Sequence, residues 1–204
     1  MWAGALAHRG IELRAVSTQP AGAMKTPLTY GFLLALAGAV LTLLLFFAGF
    51  HESAEKMGTA QWVGGIGGLA ITIACLSLAM REKRANSPAD GSWGYGSAFG
   101  TGVLTALWGA LFGAIFAYVY FALINPAFSD VIVQGQIAKL EASGKLSAAQ
   151  IANAEPTMRR FASPPILVAF QAVGGFIWTL VVSLIVAIFF RERPVAAGAP
   201  PPIG

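Results

Sequence analysis

The chain has 204 residues, of which 56% are hydrophobic and only 11% charged, with a formal net charge of +4. Soluble domains carry about 25% charged residues, so the composition excludes a water-soluble globule, and its apolar content excludes a chain disordered throughout. The apolar residues fall in four long uncharged runs, and a run of about 18 or more reads as a membrane span.

The first 24 residues form a lead unlike the rest. Arg9 and Arg14 are present, but no apolar stretch of the ~7–15 residues that a secretory signal requires. The lead closes on the loop-like Gln19-Pro20-Ala21-Gly22-Ala23 and is expected to be disordered. Met24 is read as the natural start, so residues 1–23 need not be native; a disordered cytoplasmic tail is the other reading.

Span one is expected over residues 30–50. At ~1.5 Å per residue, about 21 residues reach ~31 Å and cross the hydrocarbon. It closes on His51-Glu52. Span two, over 60–80, stops at Arg81-Glu82-Lys83-Arg84, and a short connection follows with turn signals at Asn86-Ser87-Pro88 and Asp90-Gly91. Span three, over 97–124, is entered by Trp93-Gly94-Tyr95-Gly96 and left at Asn125-Pro126; its length calls for tilt or for extension past the interface.

The segment 125–165 is the one sizeable connection. Val133, Ile137 and Leu140 recur at i, i+4 and i+7, which predicts a short helix with one apolar side, ended by Gly144. Ser147-Ala148-Ala149-Gln150 is a capping box, with Leu146 and Ile151 placed as its hydrophobic staple, so a second helix should begin at Ala148 and end or kink at Pro156. Span four is expected over 166–190, between Pro164-Pro165 and Arg191-Glu192-Arg193, followed by a disordered tail, 194–204. No proline interrupts a span, and the polar–apolar alternation of barrel strands is absent. The fold class is therefore an all-α, four-transmembrane-helix bundle, residues 25–193, with a short extracytoplasmic helical segment between helices three and four.

Orientation follows from the basic residues. Four spans put both termini on one side, with Lys25, Arg81, Lys83, Arg84, Arg191 and Arg193, and with Arg9 and Arg14 of the lead; Lys56, Lys139, Lys145, Arg159 and Arg160 lie opposite. Basic residues beside spans stay in the cytoplasm, so both termini are expected there. With the basic residues so placed, no compact basic face is left for nucleic acid.

The chemistry is sparse. The four span cores contain no Asp, Glu, Lys, Arg or His, the groups that mark proton relays, ion paths and intramembrane active sites. His8 and His51 have no second ligand at metal spacing, so no metal or cofactor is expected, and His51 reads as interfacial. Ser77 and Ser183 have no base within the spans, and Cys75 reads as a small hydrophobe. Glu52 and Glu55 read as solvated interfacial carboxylates. Among the 24 glycines, Gly64 and Gly68 in span two, and Gly96, Gly100, Gly109 and Gly113 in span three, recur at four-residue spacing. That spacing lets helix backbones approach, within the bundle or across a homodimer seam.

The stretch Tyr95–Gly102 together with Ala117–Phe128, preceded by Tyr30-Gly31 at span one and by the basic stop after span two, resembles the DUF4199 family of small bacterial four-span membrane proteins of unknown function. The resemblance covers about Lys25 to Arg193. It implies a bacterial inner (plasma) membrane and no established activity, and it supplies no catalytic residues.

The leading expectation is a non-enzymatic protein acting by interaction, with a membrane partner or as a homo-oligomer in the lipid bilayer. The alternative is a small transporter or channel component. A narrow path can be lined by hydroxyls and amides, and Thr101, Thr105, Gln171, Thr179 and Ser183 would supply them if spans three and four face each other.

Overall fold

The computed structural model describes residues 24–87 and 93–191, and every regular element in them is helical. In chain order these are α1 (Lys25–Phe47), α2 (Ala54–Ala85), α3 (Tyr95–Val119) continued by a π-helical turn (Tyr120–Ile124), α4 (Phe128–Ser143), α5 (Ala148–Phe161) and α6 (Pro164–Phe190). α1, α2, α3 with its π turn, and α6 are each long and apolar enough to cross a membrane. A helix satisfies all its backbone polar groups internally, which the hydrocarbon demands of any segment crossing it. The proposed disorder of the two termini and the turn at Pro88 and Asp90-Gly91 fall outside the described residues.

The four long helices alternate in direction. At one end, called here the basic end, the Thr26 hydroxyl and the Tyr30 phenol donate to the Glu82 carboxylate at 2.8 and 2.9 Å, tying the start of α1 to the end of α2. Trp93 is buried there, and its indole N–H donates to the Phe190 carbonyl at 2.9 Å, capping α6. At the other end, the hairpin end, α4 and α5 join α3 to α6.

Helix α3 is central and packs most extensively on α1 and α6. A buried cluster of Leu76 and Met80 from α2, Trp93, Ala98 from α3, and Val182, Val186 and Ala187 from α6 forms the core of the basic half. Ala117, Tyr120 and Phe121 form a second core near the hairpin, against Phe46, Phe128 and Leu167. The remaining large side chains, such as Leu44, Phe47, Leu111, Ile115 and Phe189, point outward. A bundle of four helices has too little interior to bury them, and in a bilayer the lipid covers them instead.

The bounds of three helices depart most from the sequence expectation. Helix α1 stops at Phe47, because Gly49 takes a left-handed φ of 76°. Gly49 N–H then bonds the Phe46 carbonyl and Phe50 N–H the Leu45 carbonyl, a Schellman closure available to glycine without a Cβ penalty. Helix α2 starts six residues before the expected span and runs past it to Ala85. Helix α5 does not end at Pro156 but continues to Phe161. The carbonyl that the missing proline N–H leaves unbonded belongs to Ala152, which is on the exposed face, where water can satisfy it.

The hairpin otherwise follows its sequence. Gly144 is the left-handed C-cap of α4, and the Ser147–Gln150 capping box opens α5 at Ala148 with both reciprocal bonds formed. Val133 and Ile151 are buried. Arg159 joins the two helices, donating to Asp130 at 2.7 Å and to Glu155 at 2.8 Å; these bonds, Asp130 first, raise its pKa. Gly135 lets α4 approach Ala54 at the start of α2.

Candidate functional site

The buried core shared by α2 and α6 lies in the basic half. Toward the hairpin end the two helices face each other across a groove of about 990 Å³, whose walls come from α1, α2, α3 and α6. Its position follows from residue size. On α2, Gly64, Gly65 and Gly68 stand on the groove wall, and Gly65 and Gly68 have nothing within 4 Å of where a Cβ would be. On α6, Gly175 is equally open. Without side chains at these positions α2 and α6 have nothing to interdigitate, and space remains between them.

The lining is apolar, with Leu41, Leu45 and Ile66 on the walls and the indoles of Trp62 and Trp178 beside them. It contains no charged side chain. Trp62 is 75% exposed, an indole left without a protein neighbour over most of its surface. The most polar groups in it are two amides, Gln61 and Gln171. Gln61 lies seven residues into α2 and Gln171 seven residues into α6, so both sit ~10 Å along the axis from the hairpin end of their helices. Neither amide has a hydrogen-bond partner among the described residues. Gln171 was a sequence candidate; Gln61 was not, because one amide near the start of an apolar run carries no pattern.

The other pathway candidates lie elsewhere. Thr101, Thr105, Thr179 and Ser183 are buried in the α3–α6 seam. The three threonine hydroxyls donate to carbonyls one turn back in their own helices, at 2.8, 2.9 and 2.8 Å. Ser183 Oγ is buried without a partner among the described residues. The groove wall reaches Thr179 and Gln171 but does not include Thr101, Thr105 or Ser183. Spans three and four do face each other, and the five residues are divided between a packed seam and the groove.

The glycine candidates are likewise divided. Gly109 faces Leu34 and the Gly31 carbonyl across the α1–α3 contact. Gly64 makes ordinary contact with Leu45, and Gly68, Gly96, Gly100 and Gly113 have nothing within 4 Å. The tightest helix approaches involve Gly31 and Gly102. Neither has a glycine four residues away, only alanines (Ala35; Ala98 and Ala106), so the glycine–glycine spacing passes over them.

A second polar cluster lies at the hairpin end. The π turn places the Asn125 N–H on the Tyr120 carbonyl at 2.8 Å, a bond spanning five residues. Both residues thereby turn inward and are buried. The Asn125 amide donates to the Tyr120 phenol oxygen at 3.0 Å, and the phenol shares a hydrogen bond with Nδ1 of His51. Burial lowers the pKa of His51 and so favours its neutral ring. His51 also meets the Phe128 ring edge to face at 5.4 Å, so the α1–α2 turn is fastened to α3 and α4 together. Among the described residues, no three His, Cys, Asp or Glu side chains gather.

The family profile described as "Protein of unknown function (DUF4199)" matches residues 29–192. No curated protein matches the chain, and no solved structure does.

Proposed function

The chain belongs to the DUF4199 family, and from its own geometry we propose that it is a non-enzymatic integral membrane protein that works by interaction inside the bilayer, through the groove between α2 and α6. The observation that carries this reading is a large uncharged recess at membrane depth, walled by open glycines and two unbonded amides. A recess of this kind binds by shape and apolar contact, and its residues offer no nucleophile–base pair or metal set.

The transport alternative is less well supported, because the three threonine hydroxyls are already bonded within their own helices and Ser183 stands apart from the groove. The reading takes a bacterial inner membrane from the family resemblance and a cytoplasmic basic end, which the clustering of Lys25, Arg81, Lys83, Arg84 and Arg191 there supports.

The test is a photo-crosslinking side chain at Gly65, in the groove, compared with one at Leu111, on the outward face of α3. In native membranes Gly65 should yield a discrete adduct that Leu111 lacks. The same diffuse labelling at both positions would overturn the reading.

A further inference from the structure

We infer that the basic end of the bundle binds the anionic phospholipid headgroups of the leaflet beside it, with Lys25, Arg81 and Arg191 as the phosphate contacts. This goes beyond the groove, since it concerns the other end of the molecule and a different chemistry.

The first argument is where the charge lies. At the hairpin end the described residues hold five cations and five carboxylates. Several of them are paired there, Lys56 with Glu52 at 3.4 Å and Arg159 with both Asp130 and Glu155. At the basic end the described cations are Lys25, Arg81, Lys83, Arg84 and Arg191, and the one described carboxylate is Glu82. Among the described residues the whole positive excess therefore stands at one end.

The second argument is what Glu82 does. Its two oxygens accept from the Thr26 hydroxyl and the Tyr30 phenol, both neutral groups of α1. The carboxylate fastens one helix to another and does not pair with the cations beside it in the chain. Among the described residues, Lys25, Arg81 and Arg191 take part in no ion pair, and all three are exposed. Their charge is open to a partner from outside the chain.

The third argument is arrangement. Glu82 joins α2 to the start of α1, while Met80 joins it to the end of α6 through Val186 and Ala187. Residues two apart on a helix point ~200° from each other, so α1 and α6 flank α2 on opposite sides. Lys25, Arg81 and Arg191 thus form a crescent across the ends of three helices. Helix α2, with 32 residues, is ~48 Å long against a hydrocarbon of ~30 Å, so its last turns stand among headgroups. Basic residues placed immediately beside a span are drawn to anionic lipid, and a guanidinium matches a phosphate through two parallel hydrogen bonds. A soluble polyanion would need a compact face raised above the bilayer; the crescent lies at the level of the headgroups and favours the lipid.

The experiment uses the full chain, stripped of lipid in detergent and titrated with dioleoyl phosphatidylglycerol or dioleoyl phosphatidylcholine, with retained lipid counted by native mass spectrometry. The unaltered chain should bind phosphatidylglycerol at least tenfold more tightly. Lys25→Gln, Arg81→Gln and Arg191→Gln together should bring it to the phosphatidylcholine level. Lys56→Gln, Lys139→Gln and Lys145→Gln together, which remove as many charges from the hairpin end, should leave the preference within about twofold of the parent, as exposed cations in a balanced field attract little. Raising salt from about 0.1 to about 1 M, which shortens the screening length from ~10 to ~3 Å, should abolish the preference in the unaltered chain, and this arm stands even where the first triple variant does not fold. Equal affinity of the unaltered chain for the two lipids, an equal loss in both triple variants, or a preference indifferent to salt would overturn the inference. Full displacement of the lipid by inorganic phosphate at matched ionic strength would also overturn it, by assigning the crescent to a free anion.

Discussion

Gly102 of α3 and Ser183 of α6 face each other so closely that a Cβ on the glycine would overlap the serine hydroxyl and come within 3.1 Å of the Met80 methyl. The pair is where α2, α3 and α6 converge, just beside the cluster of Leu76, Met80 and Val186. It sets how near the helices can come in the basic half.

Gly102→Ala should therefore destabilise the bundle by about 1–3 kcal/mol, the usual cost of overpacking. Thermal unfolding in mild detergent measures it. Adding Ser183→Gly should restore most of the loss. Ser183→Ala alone removes a buried hydroxyl that has no partner, so it should match or exceed the parent by about 1 kcal/mol.

Gly31 carries a similar constraint with less room to yield. Its Cβ would meet the Gly109 backbone nitrogen at 2.9 Å and the Thr105 carbonyl oxygen at 3.0 Å, and backbone atoms cannot swing aside. Gly31→Ala should part α1 from α3 and lower the unfolding temperature. Gly96→Ala and Gly100→Ala meet nothing within 4 Å and should instead gain about 0.5–1 kcal/mol from helix propensity. A stability loss at Gly96 equal to that at Gly31 would contradict this ranking.

The His51 linkage makes a signed pH prediction. Burial lowers its folded pKa below the ordinary 6.5, so the neutral ring stabilises the fold above pH 6.5. That contribution declines as pH falls through the interval down to the folded value, because the unfolded chain takes up the proton first. Hydrogen exchange in the 48–53 turn and α4 should accelerate over that interval, and His51→Gln should flatten the dependence. Tyr120→Phe removes the bridge between His51 and Asn125 and should cost about 1 kcal/mol at neutral pH.

Topology is open to labelling. In a Cys75→Ala background, Ser87→Cys and Gly144→Cys should react with a membrane-impermeant maleimide from opposite sides. The antiparallel helices place those positions at opposite ends of the bundle. Labelling of both from one side would refute a four-span threading.

Much of the architecture was legible in the chain. Four uncharged runs announce four helices, and Ser147 with Gln150, and Gly144, mark the hairpin's turn and second helix to the residue. Gly49 was an equally local signal for the end of α1, masked by the apolar residues around it. The site was largely hidden. Gln61 and Gln171 are 110 positions apart and acquire meaning only when α2 and α6 stand opposite each other.

The solvent preference of the side chains alone decides that this protein lies in a bilayer as four helices, because burying uncharged runs of that length and keeping Arg81–Arg84 and Arg191 in water leave no other arrangement. Which glycines touch, which stand open, and where a recess remains were decided by tertiary packing. In lipid every outward face is apolar, so hydrophobicity does not distinguish a contact face from a free one, and the choice falls to steric fit at pairs such as Gly31 with Gly109 and Gly102 with Ser183.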